Sequence, residues 1–191
     1  MILVLMGVSG SGKTTIGEAL AKRTGLPFAD ADDYHSAASK QKMASGQPLT
    51  DEDRAPWLVR LNKLLQRWDD QPKGGILACS ALEEKYRRVL EQGIPEAHVH
   101  FILLDGPREL IAKRLAARKH EFMNPNLLAS QLTILEPPTE PNAFRVVNDR
   151  PADEIAEQIL SRIVGRGPED TSKSKENLKE EGRGSDGASV V

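Results

Sequence analysis

Short apolar runs alternate with longer amphipathic segments along most of the chain. The runs predict five strands, at 2–6, 26–30, 76–79, 99–104 and 145–147. The segments between and after them repeat apolar residues at the helical period and predict helices at 15–22, 51–68, 83–90, 107–118, 126–135 and 151–164. Strands that alternate with helices predict an α/β fold, in which helices cover both faces of a parallel sheet.

Capping signals support the predicted helix ends. Thr50 followed by Asp53 is a capping-box pattern at the start of the longest helix. One face of that helix carries the large apolar residues Trp57, Leu61, Leu64, Leu65 and Trp68. Gly25 closes the first helix, and Pro107 and Pro151 suit the first turns of two later ones.

The last 26 or so residues have a different composition. From Arg166 onward Glu, Lys, Ser, Gly and Asp dominate, with almost no apolar residues before Val190. Such a segment buries too little apolar surface to offset the entropy of ordering. We therefore predict one domain over 1–165 and a disordered tail over 166–191.

The turn after the first strand carries a phosphate-binding motif. Its sequence fits the pattern G-x-x-x-x-G-K-S/T, and the flanking strand and helix supply the required context. Backbone N–H groups of such a loop attract anions, as does the helix N-terminus. Lys13 is expected to contact the β- and γ-phosphates of ATP, and the Thr14 hydroxyl to hold Mg²⁺. The predicted ATP-binding residues here are Gly7, Val8, Ser9, Gly10, Ser11, Gly12, Lys13 and Thr14.

Polar residues follow the carboxyl ends of three predicted strands, where ligands bind in open α/β sheets. They lie at 30–35 after the second strand, at Ser80 after the third and at Asp105 after the fourth. A phosphotransferase needs an acid that orients an acceptor hydroxyl, accepts its proton or holds Mg²⁺ through water. Asp32 is the best candidate for this role and for a second magnesium ligand, with Asp30 and Asp33 as neighbours. His35 is a candidate hydrogen-bond partner of a polar substrate. Asp105 fits either a Walker-B magnesium ligand or a helix cap, and we favour the cap.

A basic helix end predicts cations near the transferred phosphate. Arg114 and Arg118 precede a short polar stretch, and we expect them to bind ATP as part of a lid around 114–125. The alternative is a solvated basic helix end that complements the helix dipole.

Composition narrows the class of protein. A net charge of −2 over 191 residues gives no reason to expect a nucleic-acid partner. Cys79 is the single cysteine, so no internal disulfide forms and a reducing compartment is expected. No stretch approaches the roughly 20 apolar residues of a membrane span. These features predict a cytoplasmic protein without a membrane anchor.

Several segments beyond the loop resemble the gluconokinase family of small P-loop sugar-acid kinases, related in fold to shikimate kinase and the nucleoside monophosphate kinases. The resemblance covers most of residues 2–150. It rests on Asp-Ala-Asp-Asp-Tyr-His at 30–35, Lys-Met-Ala-Ser-Gly-Gln-Pro-Leu at 42–49, Asp-Glu-Asp-Arg-Ala-Pro-Trp-Leu at 51–58, Cys-Ser-Ala-Leu at 79–82, Tyr86-Arg87, Gln131 and Leu135-Glu136-Pro137.

The resemblance implies a three-layer P-loop kinase fold with a five-stranded parallel sheet and a small helical lid. It also implies phosphorylation of the 6-hydroxyl of D-gluconate, with ATP and Mg²⁺. Its implied catalytic residues are Lys13, Asp32 and Arg118. Its implied substrate ligands are Asp32, His35, Lys42, Arg54, Ser80, Arg87 and Gln131. Arg54 and Arg87 suit a carboxylate or phosphate, because guanidinium binds both in a bidentate manner. Kinases of this kind often form homodimers.

One departure from the family pattern lies in the lid. The family usually reads Gly-His-Phe where this chain has His120-Glu121-Phe122. The histidine is therefore displaced by one position, and an acid near the ATP phosphates is expected to weaken lid closure.

Three alternatives stay open from the sequence. One is a kinase for another small acceptor, such as shikimate or a nucleoside monophosphate, although Gly74-Gly75 precedes the third strand where shikimate kinases have glycines after it. A GTP-dependent switch needs Asn-Lys-x-Asp, but Asn62-Lys63 is followed by two leucines within a helix. A non-catalytic ATP-binding protein is the third, and the intact Lys13, Thr14 and Asp32 argue against it.

Overall fold

The computed structural model describes residues 1–117 and 125–165. Its elements are β1 (Ile2–Met6), α1 (Lys13–Thr24), β2 (Phe28–Asp30), α2 (Ala37–Ala44), α3 (Asp51–Asp69), β3 (Gly75–Ala78), α4 (Glu84–Glu91), β4 (Val99–Asp105), α5 (Arg108–Ala117), α6 (Pro125–Ile134), β5 (Phe144–Val147) and α7 (Ala152–Gly165). The chain divides into two compact units, Met1–Glu157 and Gln158–Val191. The sheet and every site residue discussed below belong to the first. Within the described ranges, no helix is long and apolar enough to cross a membrane.

The five strands form one parallel sheet in the order β2-β3-β1-β4-β5. β1 lies at its centre, pairs with β3 on one side and β4 on the other, and is fully buried along its length. A strand that is buried on both faces reads as a continuous apolar run, as Ile2–Met6 does. Because the chain continues to opposite sides of β1, the carboxyl end of this strand is a topological switch point, where ligands bind in such sheets.

The predicted strands and helices are confirmed, with boundaries that shift by one or two residues. The largest differences are at β2, which begins at Phe28 rather than Leu26, and at α1, which extends from Lys13 to Thr24. The sequence analysis missed α2 altogether. Ser36 caps this helix by accepting the Ser39 N–H, but the helix carries no apolar stripe that the periodicity could reveal.

The predicted capping box at the start of α3 is present. The Thr50 hydroxyl accepts the Asp53 N–H, and the Asp53 carboxylate accepts the Thr50 N–H. The apolar face of α3 is buried through Trp57, Leu58, Leu61, Leu64, Leu65 and Trp68. The Trp57 indole N–H also donates to the Ala31 carbonyl at 2.8 Å, which ties α3 to the turn after β2. This anchoring brings the N-terminal turn of α3 to the carboxyl edge of the sheet.

Replacing the capping hydroxyl should cost measurable stability. Thr50→Ala is expected to lower the free energy of unfolding by about 1 kcal/mol, because the Asp53 N–H loses its acceptor. Urea denaturation followed by circular dichroism measures the change. Thr133→Ala is the matched control, since that exposed hydroxyl bonds only the Ala129 carbonyl within α6. Equal destabilisation by both substitutions would argue against a special role for the cap.

Candidate active site

The phosphate-binding loop lies between β1 and α1, and its backbone needs glycine. Gly7, Gly10 and Gly12 have φ angles of 134°, 79° and 93°, in a region that other residues rarely adopt. No side chain caps α1 at Gly12, so the first N–H groups of this helix are available to an anion. Lys13 Nζ donates to the carbonyls of Gly7 at 3.1 Å and Val8 at 3.2 Å, and thus lies over the loop.

Thr14 contacts Asp30 rather than Asp32. The Thr14 hydroxyl donates to Asp30 Oδ2 at 2.8 Å, and Asp30 Oδ1 accepts the Asp32 N–H at 3.1 Å. No cluster of three or more His, Cys, Asp or Glu side chains suited to a metal occurs in the described ranges. One hydroxyl and one carboxylate nevertheless fit Mg²⁺, because this ion keeps several waters and takes its remaining ligands from substrate phosphates. Asp30, which the sequence analysis named only as a neighbour of Asp32, is therefore the carboxylate beside Thr14, and the role of Asp32 as a magnesium ligand stays a prediction.

Asp32 and His35 lie next to each other in very different surroundings. The Asp32 side chain is 85% exposed, whereas the His35 side chain is 6% exposed and stacks on the Trp57 ring with centroids 4.4 Å apart. His35 Nε2 lies 3.9 Å from Asp32 Oδ1, and His35 Nδ1 has no hydrogen-bond partner among the described residues. Burial, helped by the positive charges of Lys40, Arg60 and Arg54, lowers the pKa of His35 to about 4. The imidazole is therefore neutral near pH 7 and can form hydrogen bonds without adding charge.

Arg54 is a partly exposed cation on the first turns of α3. Its Nη1 donates to the Tyr86 hydroxyl at 3.0 Å, and the guanidinium carbon lies 5.4 Å from the centre of the Tyr86 ring. The Tyr86 hydroxyl in turn donates to Asp51 Oδ1 at 2.7 Å, and this carboxylate is 3.7 Å from Arg54. With 24% of its side chain exposed, Arg54 remains within reach of an anionic ligand.

Lys42 is paired with a carboxylate of the protein. Its Nζ lies 2.5 Å from Asp53 Oδ2, and this hydrogen bond holds the pKa of Asp53 down at about 2. The same carboxylate closes the capping box of α3. Lys42 therefore ties α2 to the start of α3, and its charge is largely compensated in this structure.

Arg87 is buried, in contrast to Arg54. Its side chain is 1% exposed, and its Nε donates to Glu140 Oε1 at 2.6 Å. Its Nη1 donates to the carbonyls of Ala81, Leu82 and Glu136 at 3.3, 3.5 and 3.1 Å. This geometry supports a structural role, because the guanidinium already has a carboxylate partner inside the protein.

The turn that Arg87 holds is strained and lies beside the loop. Ala81 has a φ of 43°, and among the described residues no other non-glycine residue has a positive φ. The carbonyl of the preceding residue, Ser80, accepts the Gly7 N–H at 3.1 Å. Ser80 is thus placed at the first glycine of the phosphate-binding loop, and its role as a substrate ligand stays a prediction.

Two residues from the C-terminal half of the chain, Gln131 and Asn148, hydrogen-bond the loop, and Arg114 bonds one of them. Gln131 Oε1 accepts the Ser9 N–H at 2.8 Å, so this predicted substrate ligand contacts the loop backbone. Asn148 Nδ2 donates to the Ser11 carbonyl at 2.6 Å, and its own carbonyl accepts Arg114 Nη1 at 3.0 Å. The sequence analysis missed Asn148, although it directly follows a strand, the signal that selected Asp30 and Ser80.

The structure tests the prediction for Asp105 but not the one for the lid. Arg118 and the departure at His120–Phe122 lie outside the described residues, and so does most of the lid predicted around 114–125. Asp105 accepts the Gly106 N–H at 2.7 Å and pairs with Arg145 at 2.5 Å. The predicted helix cap is therefore wrong, because α5 begins only at Arg108 and the carboxylate bonds the turn before it, where Arg145 neutralises its charge.

Comparison with known proteins shows which family the chain belongs to. Residues 9–164 match the sequence profile of the shikimate kinase family. A probable gluconokinase of Dictyostelium discoideum is 46% identical over 173 residues, which cover 85% of this chain and 86% of that protein. The thermosensitive gluconokinase of Escherichia coli K12 is 43% identical over 163 residues, which cover 84% and 86%.

A solved structure of a gluconokinase is also similar to this chain. The crystal structure of a gluconokinase from Sinorhizobium meliloti 1021 is 35% identical in sequence, with a TM-score of 0.75 over 95% of this chain and 97% of that one. These similarities confirm the P-loop kinase fold and the resemblance seen in the sequence. The chain therefore belongs to the gluconokinase family, within the wider group of shikimate kinase-like P-loop kinases.

Proposed function

We propose that this protein is a gluconokinase, which transfers the γ-phosphoryl group of ATP to the 6-hydroxyl of D-gluconate and releases ADP. One observation carries the proposal beyond family membership. A chain of contacts leads from the phosphate-binding loop through Thr14, Asp30 and the backbone of Asp32 to His35, which stacks on α3. The loop that suits phosphate and the residues that suit a hydroxylated acid therefore lie side by side.

On the nucleotide side, the loop amides and the N-terminus of α1 would hold the phosphates. Lys13 Nζ already lies over the loop, where it donates to the carbonyls of Gly7 and Val8, and charged phosphate oxygens would accept stronger hydrogen bonds from it than carbonyls do. Thr14 and Asp30 would hold Mg²⁺, which when bound neutralises charge on the β- and γ-oxygens. Arg114 and Arg118 remain proposed ATP ligands.

On the acceptor side, Asp32 is proposed to orient the 6-hydroxyl and accept its proton, since its carboxylate is exposed next to the loop. Neutral His35 is proposed to bond substrate hydroxyls. Arg54 is the better candidate for the gluconate carboxylate, because Arg87 is buried on Glu140. Lys42, Ser80 and Gln131 stay proposed contacts.

The proposal includes the broader expectations for the chain. They are a kinase domain over 1–165 with a lid around 114–125, a tail over 166–191, a cytoplasmic location and a small-molecule partner. A homodimer is the proposed assembly.

Measurement of ADP release with Mg-ATP, with and without D-gluconate, tests the proposed reaction. We expect turnover that depends on gluconate, and little with shikimate or AMP as acceptor. Lys13→Ala should lower kcat by about 100-fold or more, because one preorganised cation is lost where charge develops. Turnover with shikimate or AMP and none with gluconate would remove the proposed acceptor but keep the kinase. An unchanged kcat for Lys13→Ala would refute the role of the loop.

The two aspartates should affect different parameters. Asp32→Asn is expected to lower kcat by about 100-fold or more with nearly unchanged ATP affinity, because the proton acceptor is lost. Asp30→Asn should instead raise the Mg²⁺ concentration needed for half-maximal rate, since Asp30 contacts Thr14. Steady-state kinetics over a Mg²⁺ titration measure both. Asp33→Asn is the control, and a loss of kcat there with Asp32→Asn unaffected would move the proton acceptor to Asp33.

The two arginines should separate binding from stability. Arg54→Met is expected to raise the KM for gluconate by about tenfold or more, through loss of a charged hydrogen bond, with unchanged KM for ATP. Arg87→Met should lower the free energy of unfolding by about 3 kcal/mol or more, because the largely covered Glu140 carboxylate loses its cation and three carbonyls lose their donor. Arg88→Met, which removes an exposed ion pair with Glu84, is the control for both. A stable Arg87→Met protein with a raised gluconate KM would assign the carboxylate to Arg87.

A further inference from the structure

Two amide side chains from outside the phosphate-binding loop hydrogen-bond its backbone. Asn148, which follows β5, donates to the Ser11 carbonyl, and Gln131 on α6 accepts the Ser9 N–H. Both bonds are short, at 2.6 and 2.8 Å. Neither amide is part of the phosphate-binding motif, so the motif alone assigns them no role.

Each bond sets the direction of one peptide plane. In a planar trans peptide, the carbonyl of one residue and the N–H of the next point in opposite directions. The Ser11 carbonyl faces Asn148, so the Gly12 N–H must point away from it. The Ser9 N–H faces Gln131, so the Val8 carbonyl points the other way, where Lys13 Nζ lies 3.2 Å from it. The Ser11 N–H also donates to the Val8 carbonyl, at 3.1 Å. The two amides therefore act together with this bond to fix which backbone groups the loop turns outward and which it turns toward its own lysine.

Asn148 is itself rigidly held. Its side chain is almost fully buried, its N–H donates to the Asp105 carbonyl at 2.7 Å, and its carbonyl accepts Arg114. A Cβ atom on Gly12 would lie 2.3 Å from Asn148 Nδ2. The loop and this amide are thus fitted to each other, and loss of the amide leaves a buried carbonyl without its donor.

Gln131 is held by the packing of its helix. Val8, Leu82 and Ile111 form a small apolar cluster, against which Leu128, Leu132 and Leu135 pack from α6 and the residue after it. Since Val8 belongs to the loop, α6 is fixed to the same segment by apolar contact and by the Gln131 bond. The glutamine oxygen is therefore presented by an ordered helix rather than by a free loop.

We propose that Asn148 and Gln131 are positioning residues of the phosphate-binding loop, which hold two of its peptide planes in the orientation that binds the triphosphate. The inference rests on the proposed function, in that it takes ATP as the ligand of the loop. Neither side chain needs to touch a phosphate, because both act through the backbone. The consequence is specific: loss of either amide should weaken binding of ATP, and loss of Asn148, which has no proposed contact with substrate, should leave binding of gluconate unchanged.

The test compares Asn148→Leu and Gln131→Leu with two matched amide variants. Asn142 donates to the Glu96 carbonyl and Gln66 to the Gln92 carbonyl, and neither contacts the loop, so Asn142→Leu and Gln66→Leu are the controls. Isothermal titration of the full-length protein gives the Kd for Mg-ATP, thermal unfolding gives the Tm, and steady-state kinetics give the KM for gluconate. We expect Asn148→Leu to raise the Kd for Mg-ATP about tenfold or more, Gln131→Leu to raise it about threefold or more, and the controls to stay near wild type.

The outcomes separate a positioning role from a structural one. A lowered Tm with an unchanged Kd for Mg-ATP in both variants would overturn the proposal. A raised gluconate KM with an unchanged Kd in Gln131→Leu would overturn it for Gln131 and make this residue a substrate ligand. Asn148→Ala, which removes the amide without adding bulk to the buried site, replaces Asn148→Leu if the latter does not fold. Wild-type protein that binds Mg-ATP without phosphorylating gluconate would refute the proposed acceptor alone, while the Kd comparison would still decide the positioning role.

Discussion

The backbone conformation of the loop after β1 is the constraint on which the rest of the site depends. Its glycines adopt positive φ angles without strain, but they leave the loop flexible, so neighbouring groups are needed to hold it in one conformation. Those groups come from the ends of other strands. Asp30 ends β2, Ser80 follows β3 and Asn148 follows β5, and each forms a hydrogen bond with a residue of the loop. A parallel sheet makes this convergence possible, because all of its strands end at one edge.

Burial and pairing distinguish residues of the same type around this edge. Arg87 is bonded to a carboxylate and three carbonyls inside the protein, whereas Arg54 keeps part of its guanidinium at the surface. Lys42 is neutralised by Asp53, and His35 is kept neutral by its burial against Trp57. Of these residues, Arg54 is therefore the better candidate to meet an acidic substrate.

Local signals predicted the elements well and the contacts between them less well. Alternating apolar runs, the Thr50 capping box and the glycine pattern each depend on residues close in sequence, and all three were confirmed. The helix α2 escaped notice because it buries only one of its residues. Asp30 was ranked below Asp32 because sequence spacing alone cannot show which of two nearby carboxylates reaches Thr14.

The sequence by itself determined the strand–loop–helix unit, the parallel α/β class and the set of polar residues at the strand ends, since these follow from short-range periodicity and from the stereochemistry of glycine. Only the tertiary structure decided the partners of those residues. Gln131 meets Ser9 across 122 positions of sequence, and Asn148 meets Ser11 across 137. Contacts of that kind depend on how helices pack over the sheet, and the packing of distant side chains leaves no local pattern in the chain.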